Sequence, residues 1–159
     1  MKPHRRLSCG FVAVCAASLL SIDASGQAPP LGSGTLAIPG GVRVIDGDTV
    51  EVYVSGRRIG IGLIGIRAPM GNTPCGREAT AMLESLVAGG AFMDEHPELF
   101  LDTRRRRLYY GRRASNGQSI AVQLARAGVV ESTGVGREAP QIAAAIRTAQ
   151  TRGDGCLWR

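Results

Sequence analysis

The sequence predicts a β-rich α+β fold, five short strands closing a small Greek-key barrel with about three helices capping it. Three observations carry that prediction. Alternating apolar residues from Val42 to Val54 flank Asp46-Gly47-Asp48-Thr49, as in two half-buried strands joined by a tight turn. The elements that follow run strand, helix, two strands, two helices. Gly60, Gly62 and Gly65 interrupt the third strand, which marks strong coiling or a bulge in a small closed sheet.

A chain of 159 residues has room for one domain. Lys2, Arg5 and Arg6 precede an apolar run from Cys9 to Ile22, too short to span a bilayer comfortably, and Ala24-Ser25-Gly26 supplies small residues before Gln27. Residues 1–26 therefore read as a secretory signal peptide, with an uncleaved anchor as the alternative. The expected protein is exported, periplasmic or secreted, without membrane attachment after cleavage. Gln27 to Pro39 is rich in proline, glycine and serine and reads as a flexible leader, which leaves 40–159 as the domain.

The formal charge is +6 and, apart from Lys2, every Lys/Arg position is arginine. Removing Lys2, Arg5, Arg6 and Asp23 leaves sixteen arginines against twelve carboxylates, a net +4. Arginine grips phosphate well, and a replacement of lysine throughout by codon bias gives the same composition. The expected mature chain keeps two cysteines, Cys75 and Cys156, which in an exported protein most simply form one disulfide.

Along the domain, Ser55 to Arg58 makes the second turn, and Ile59, Ile61, Leu63 and Ile66 mark the third strand, ended by Arg67-Ala68-Pro69. A helix covers Glu78 to Val87 and stops at Gly89-Gly90. Phe92 to Pro97 reads as a polar connection, Leu99-Phe100-Leu101 as the start of the fourth strand, and Leu108-Tyr109-Tyr110 as part of the fifth. Two more helices are expected, over about Ser119 to Ala127 and about Pro140 to Thr151. This order suits a five-stranded barrel of the oligonucleotide/oligosaccharide-binding type, the OB-fold.

Several of these stretches resemble the staphylococcal nuclease, or thermonuclease, family over roughly Val42 to Trp158. They are Ile45-Asp46-Gly47-Asp48-Thr49-Val50, then Leu63-Ile64-Gly65-Ile66 followed by Ala68-Pro69, and Cys75-Gly76-Arg77-Glu78-Ala79. Asp102 with Arg106 and Leu108, Leu124-Ala125-Arg126-Ala127-Gly128, and the closing Leu157-Trp158 complete the set. The resemblance implies calcium-dependent hydrolysis of DNA and RNA phosphodiesters. Two aspartates and a backbone carbonyl would hold the metal, two arginines would stabilise charge on the phosphate, and a glutamate would assist the attacking water.

Transferred position by position, that site is incomplete. Asp48 matches the first metal aspartate, supported by Asp46 and Thr49, and Ala68 matches the carbonyl position. Arg67 stands where the second aspartate belongs, Met70 where the glutamate belongs, and Gly62 where the first arginine belongs. Arg106 is the preferred counterpart of the second arginine, with Arg112 as the rival. The two nucleotide-stacking tyrosines fall on Gly134 and Gly136. Losing one positioned charge donor costs about a hundred- to a thousandfold in rate. Three absent groups therefore point to a pseudoenzyme with little catalysis by the familiar route.

The expected function is a nucleic-acid, polyanion or protein-binding module, monomeric and without a cofactor. The alternative is a weak or altered nuclease that uses calcium. Arg67 is expected to pair with Asp48, Asp46 or both as a built-in substitute for the cation. Arg104 and Arg105, with Tyr109 and Tyr110, are the substrate-binding candidates: the arginines for phosphate, and one tyrosine for stacking while the other joins the core. Asp94-Glu95-His96 reads as a solvated loop cluster, and Trp158 as a residue packing the terminus against the barrel.

Overall fold

In the computed structural model, residues 34–54, 56–99, 101–103 and 105–159 are described. The expected signal peptide, most of the expected leader, and Arg104 lie outside them. The strands are β1 (Thr35–Ile38), β2 (Val44–Asp46), β3 (Thr49–Val54), β4 (Arg57–Leu63), β5 (Ile66–Arg67), β6 (Ala91–Asp94), β7 (Arg107–Arg113) and β8 (Glu131–Ser132). The helices are α1 (Pro74–Val87), α2 (Ile120–Arg126) and α3 (Ala139–Arg152). The α+β class and the three helices agree with the sequence reading. Six strands form one mixed sheet in the order β1-β6-β7-β4-β3-β2, and β5 pairs with β8 separately. The sheet is mixed because β4 and β7 run parallel, with Ile61 opposite Arg107 and Leu63 opposite Tyr109.

Two strand expectations need correction. Thr35–Ile38, inside the expected leader, is strand β1, antiparallel to β6 with Thr35 opposite Asp94 and Ile38 opposite Ala91. The fourth strand is Ala91–Asp94; of the stretch expected to begin it, Phe100 lies outside the described residues and Leu101 makes an isolated bridge to Arg107. The reason is local. Gly90, at φ +87°, ends the turn after α1, and the chain enters the sheet directly, burying Ala91 and Met93. Polar Asp94-Glu95-His96 immediately afterwards masks the short alternation.

Each helix buries one stripe. Ala79, Leu83, Leu86 and Val87 of α1, Ile120 and Leu124 of α2, and Ile142, Ala145, Ile146 and Ala149 of α3 recur at helical spacing and face one core. Full burial of each large aliphatic side chain contributes about 1.5–3 kcal/mol. Helix α1 begins four residues before its expected start. Thr73 caps it by accepting the Gly76 N–H at 2.9 Å, and Pro74 occupies the first turn, where no amide partner is lost.

The C-terminus is tied back onto this frame. Cys75 and Cys156 form a disulfide across 81 residues of sequence. Arg159 reaches Glu78 at 2.6 Å, and Cys156 and Trp158 pack against the core. The disulfide suits an oxidising compartment, and among the described residues no helix is long and apolar enough to cross a membrane.

Closing so long a loop restricts the unfolded chain strongly. Cys75→Ser with Cys156→Ser should lower unfolding stability by about 3–4.5 kcal/mol. Urea titration of the double variant beside the oxidised protein measures this, and coincident curves would refute it.

Candidate functional site

The β2–β3 turn is seated directly on α1. A Cβ at Gly47 would lie 2.4 Å from the Ala79 side chain and 2.9 Å from that of Ala68, so only glycine allows this approach. The approach carries the next residue inward: Asp48 is 6% exposed and Thr49 is 4% exposed. A buried carboxylate needs partners on both oxygens. Asp48 Oδ1 accepts from the Thr49 hydroxyl at 2.8 Å and from Arg106 Nη1 at 2.7 Å, and Oδ2 accepts from the Ala68 amide at 3.1 Å. Asp46 supports the turn by accepting the Asp48 N–H at 3.2 Å.

Arg106 is itself held in place. Its Nε donates to Asp102 Oδ2 at 3.0 Å, its backbone N–H donates to Asp102 Oδ1 at 2.8 Å, and Nη1 also donates to Thr49 Oγ1. The guanidinium crosses strand β4 at Gly62, where a Cβ would fall 2.7 Å from Arg106 Cζ. The absent side chain at 62 is thus the space Arg106 occupies.

The electrostatics follow from these contacts. Burial alone pushes the Asp48 carboxyl up, but the hydrogen bond and charge of Arg106, with the Ala68 amide and Thr49 hydroxyl, bring it below the ordinary carboxylate value. Burial and the negative charge of Asp48 push Asp46 the other way, outweighing its bond to Thr49, and its carboxyl lies above the ordinary value. Burial opposes the charge on Arg106, yet Asp48 and Asp102 outweigh it and raise its pKa.

The expected ion pair of Arg67 is not formed. Arg67 is exposed in β5, opposite Glu131, and the guanidinium on Asp48 belongs to Arg106. The strand end turns residue 67 outward while residue 68 presents its backbone N–H to Asp48. Met70 is 73% exposed. Arg112 is directed elsewhere, to Asp94 at 2.7 and 3.1 Å, and lies over the Phe92 ring. The Arg112 hydrogen bond is the main reason the Asp94 carboxyl is lowered, and it raises Arg112 in turn. Asp94 is therefore a paired strand residue and not a solvated loop group.

Tyr109 and Tyr110 are both buried, so neither offers a free stacking face. The Tyr109 hydroxyl donates to Glu95 at 3.2 Å, and the Tyr110 hydroxyl accepts the Arg137 N–H at 2.8 Å beneath Gly136. A Cβ at Gly136 would lie 2.6 Å from that hydroxyl, so the packing of Tyr110 excludes a tyrosine there. Arg105, exposed at φ +61°, turns the loop before Arg106. Sequence reasoning missed the clamp of Asp102 on Arg106, although an Asp–Arg pair four residues apart was the available signal.

Calcium takes six to eight oxygen ligands. Among the described residues, no three His, Cys, Asp or Glu side chains cluster to hold a metal, and both oxygens of Asp48 already accept hydrogen bonds, one from a guanidinium. These residues do not fit a divalent cation.

Arg106→Ala leaves Asp48 buried without its counter-charge and should cost about 2–4 kcal/mol, read by chemical denaturation at neutral pH. Gly62→Ala should displace the same guanidinium, giving a smaller loss in the same direction. Asp48 is lowered, so its stabilising contribution is full above the ordinary carboxylate value and disappears as pH falls through the folded value. Asp46 is raised and contributes with the opposite sign, losing stability as pH rises through its folded value. Asp48→Asn should therefore destabilise at pH 7 and flatten the acid limb of the stability profile, whereas Asp46→Asn should be neutral or stabilising. Equal losses from the two variants would contradict this assignment.

No known family profile matches the chain. Over 48 residues it is 50% identical to uncharacterised endonucleases of Escherichia coli O157:H7 and of Escherichia coli. The matched stretch is 30% of this chain, which spans about a third (31%) of the length of these curated relatives. Part of the chain is thus similar to nucleases.

Proposed function

We propose that this chain is an exported, nuclease-related module of thermonuclease-like OB fold that binds phosphate-bearing polymers and does not cleave them through calcium. One observation carries the reading: Arg106 Nη1 sits 2.7 Å from Asp48 Oδ1, inside the hairpin that would have to supply the metal's first carboxylate. A cation there would compete with a tethered guanidinium already clamped by Asp102. Arg67 stands at the position of the second carboxylate, supplies none and turns outward, and Met70 cannot orient water.

The closed barrel is supported by connectivity. Strands β1 and β2 lie at opposite edges of the six-strand order, yet only residues 39–43 separate them, and Gly41 at φ +74° turns that link. A flat sheet of six strands would place its edges about 24 Å apart. A link of this length reaches about 21 Å only when fully stretched, so the edges curl together. Phosphate binding rests on Arg106, whose side chain keeps 27% exposure, with exposed Arg105 beside it. The partial similarity to endonucleases favours the second reading, a weak or altered nuclease using Asp48, Arg106 and Arg112.

Incubation of the oxidised mature chain with single- and double-stranded DNA, in calcium and in chelator, separates the two readings. The expected result is no calcium-dependent cleavage, with binding by fluorescence anisotropy that weakens with salt, a log–log slope of about −0.7 per contacted phosphate on single strands. Robust cleavage in calcium that chelator abolishes would establish the nuclease instead. Absence of both cleavage and binding would direct the search to a protein partner.

A further inference from the structure

We propose that the cavity between the β1–β2 bend and strand β3 binds a small amphiphilic anion, with an aliphatic carboxylate as its simplest form. Among the described residues it encloses about 460 Å³, within the range of about 300–1,000 Å³ usual for small-molecule sites. Leu36 and Ile38 of β1, Pro39 and Val42 of the bend, and Val52 of β3 give it apolar walls.

Its polar groups gather on one side. Arg43, Glu51 and Arg58 line it with the ring of Tyr53. Glu51 accepts from Arg43 at 3.1 Å and lies 3.8 Å from Arg58, so two guanidinium groups share one carboxylate and one positive charge is left over. The arginine side chains are 67% and 62% exposed, and Arg58 also donates to the Tyr53 hydroxyl. Tyr53, 63% exposed and lying under Arg58, presents a flat apolar flank beside that charge. Apolar walls with a cationic rim select a hydrocarbon body carrying one negative head.

The cavity stands before any ligand arrives. A Cβ at Gly40 would fall 2.3 Å from the Ala88 carbonyl oxygen at the end of α1, and Gly41 adopts φ +74°. Both positions therefore call for glycine: Gly40 seats the bend against the helix end, and Gly41 supplies the turn. None of Asp46, Asp48, Thr49, Asp102 or Arg106 lines the cavity, so this inference is independent of the reading of the Asp48 site.

The test titrates the oxidised mature chain with octanoate, decanoate and dodecanoate below their micellar concentrations, following backbone amide shifts. Saturable binding is expected, with shifts confined to residues 36–43 and 51–58 and affinity rising about threefold to fourfold per added methylene. Leu36→Trp, which fills the cavity, should abolish it. Arg43→Gln with Arg58→Gln should weaken decanoate about fivefold, and these exposed positions keep the test decisive if Leu36→Trp fails to fold. Non-saturable binding, shifts elsewhere, or full affinity in the arginine double variant would overturn the proposal.

Discussion

A carboxylate held out of water must be given a counter-charge, and that requirement organises the surroundings of Asp48. Gly47 lets the hairpin press onto α1, which is what buries the carboxylate. Once buried, its two oxygens need the Thr49 hydroxyl, the Ala68 amide and the Arg106 guanidinium together. Arg106 in turn needs Asp102 to fix its fork and Gly62 to leave room for it. Five separate segments of chain thus converge on one charge. The same convergence ties β3, β4 and the entry to β7 into a single register, so the ion pair contributes to the frame as well as to the site.

The net electrostatic balance explains why Asp46 and Asp48 behave as opposites although they are two residues apart. Asp48 is the more buried, but it owns the cation, so its ionised form is favoured. Asp46 has less burial and no guanidinium, and it sits beside a permanent negative charge. Their divergence follows from the placement of the guanidinium, which pairs with Asp48 and not with Asp46.

Most of the fold was legible in the sequence because it is written in periodicity. The alternation around Asp46-Gly47-Asp48-Thr49, the apolar stripe of α1 and the stripe of α3 all have the period of the element they form. The strands that escaped are those whose signal is short or interrupted. Thr35–Ile38 is four residues next to Pro39 and Gly40, and Ala91–Asp94 runs straight into charged residues. The disulfide followed from cysteine count and the expected export. At the site, the identities of Asp48, Arg106 and Gly62 were legible, but their relation was not. Which arginine meets Asp48 depends on side-chain direction at a strand end, where a one-residue change reverses the face.

That last point makes Gly62 and Arg106 a matched pair. A residue type read from sequence as a missing catalytic group is, in three dimensions, an opening through which another residue acts. A side chain at position 62 would meet the Arg106 guanidinium where it lies across β4 and push that cation away from Asp48. With Arg106 absent, the opening at Gly62 would expose the carboxylate's apolar surroundings to water and gain nothing. Each is intelligible only with the other. The close fit at Gly62 and the ion pair at Asp48 are therefore one arrangement, in which a guanidinium from inside the chain neutralises a buried aspartate.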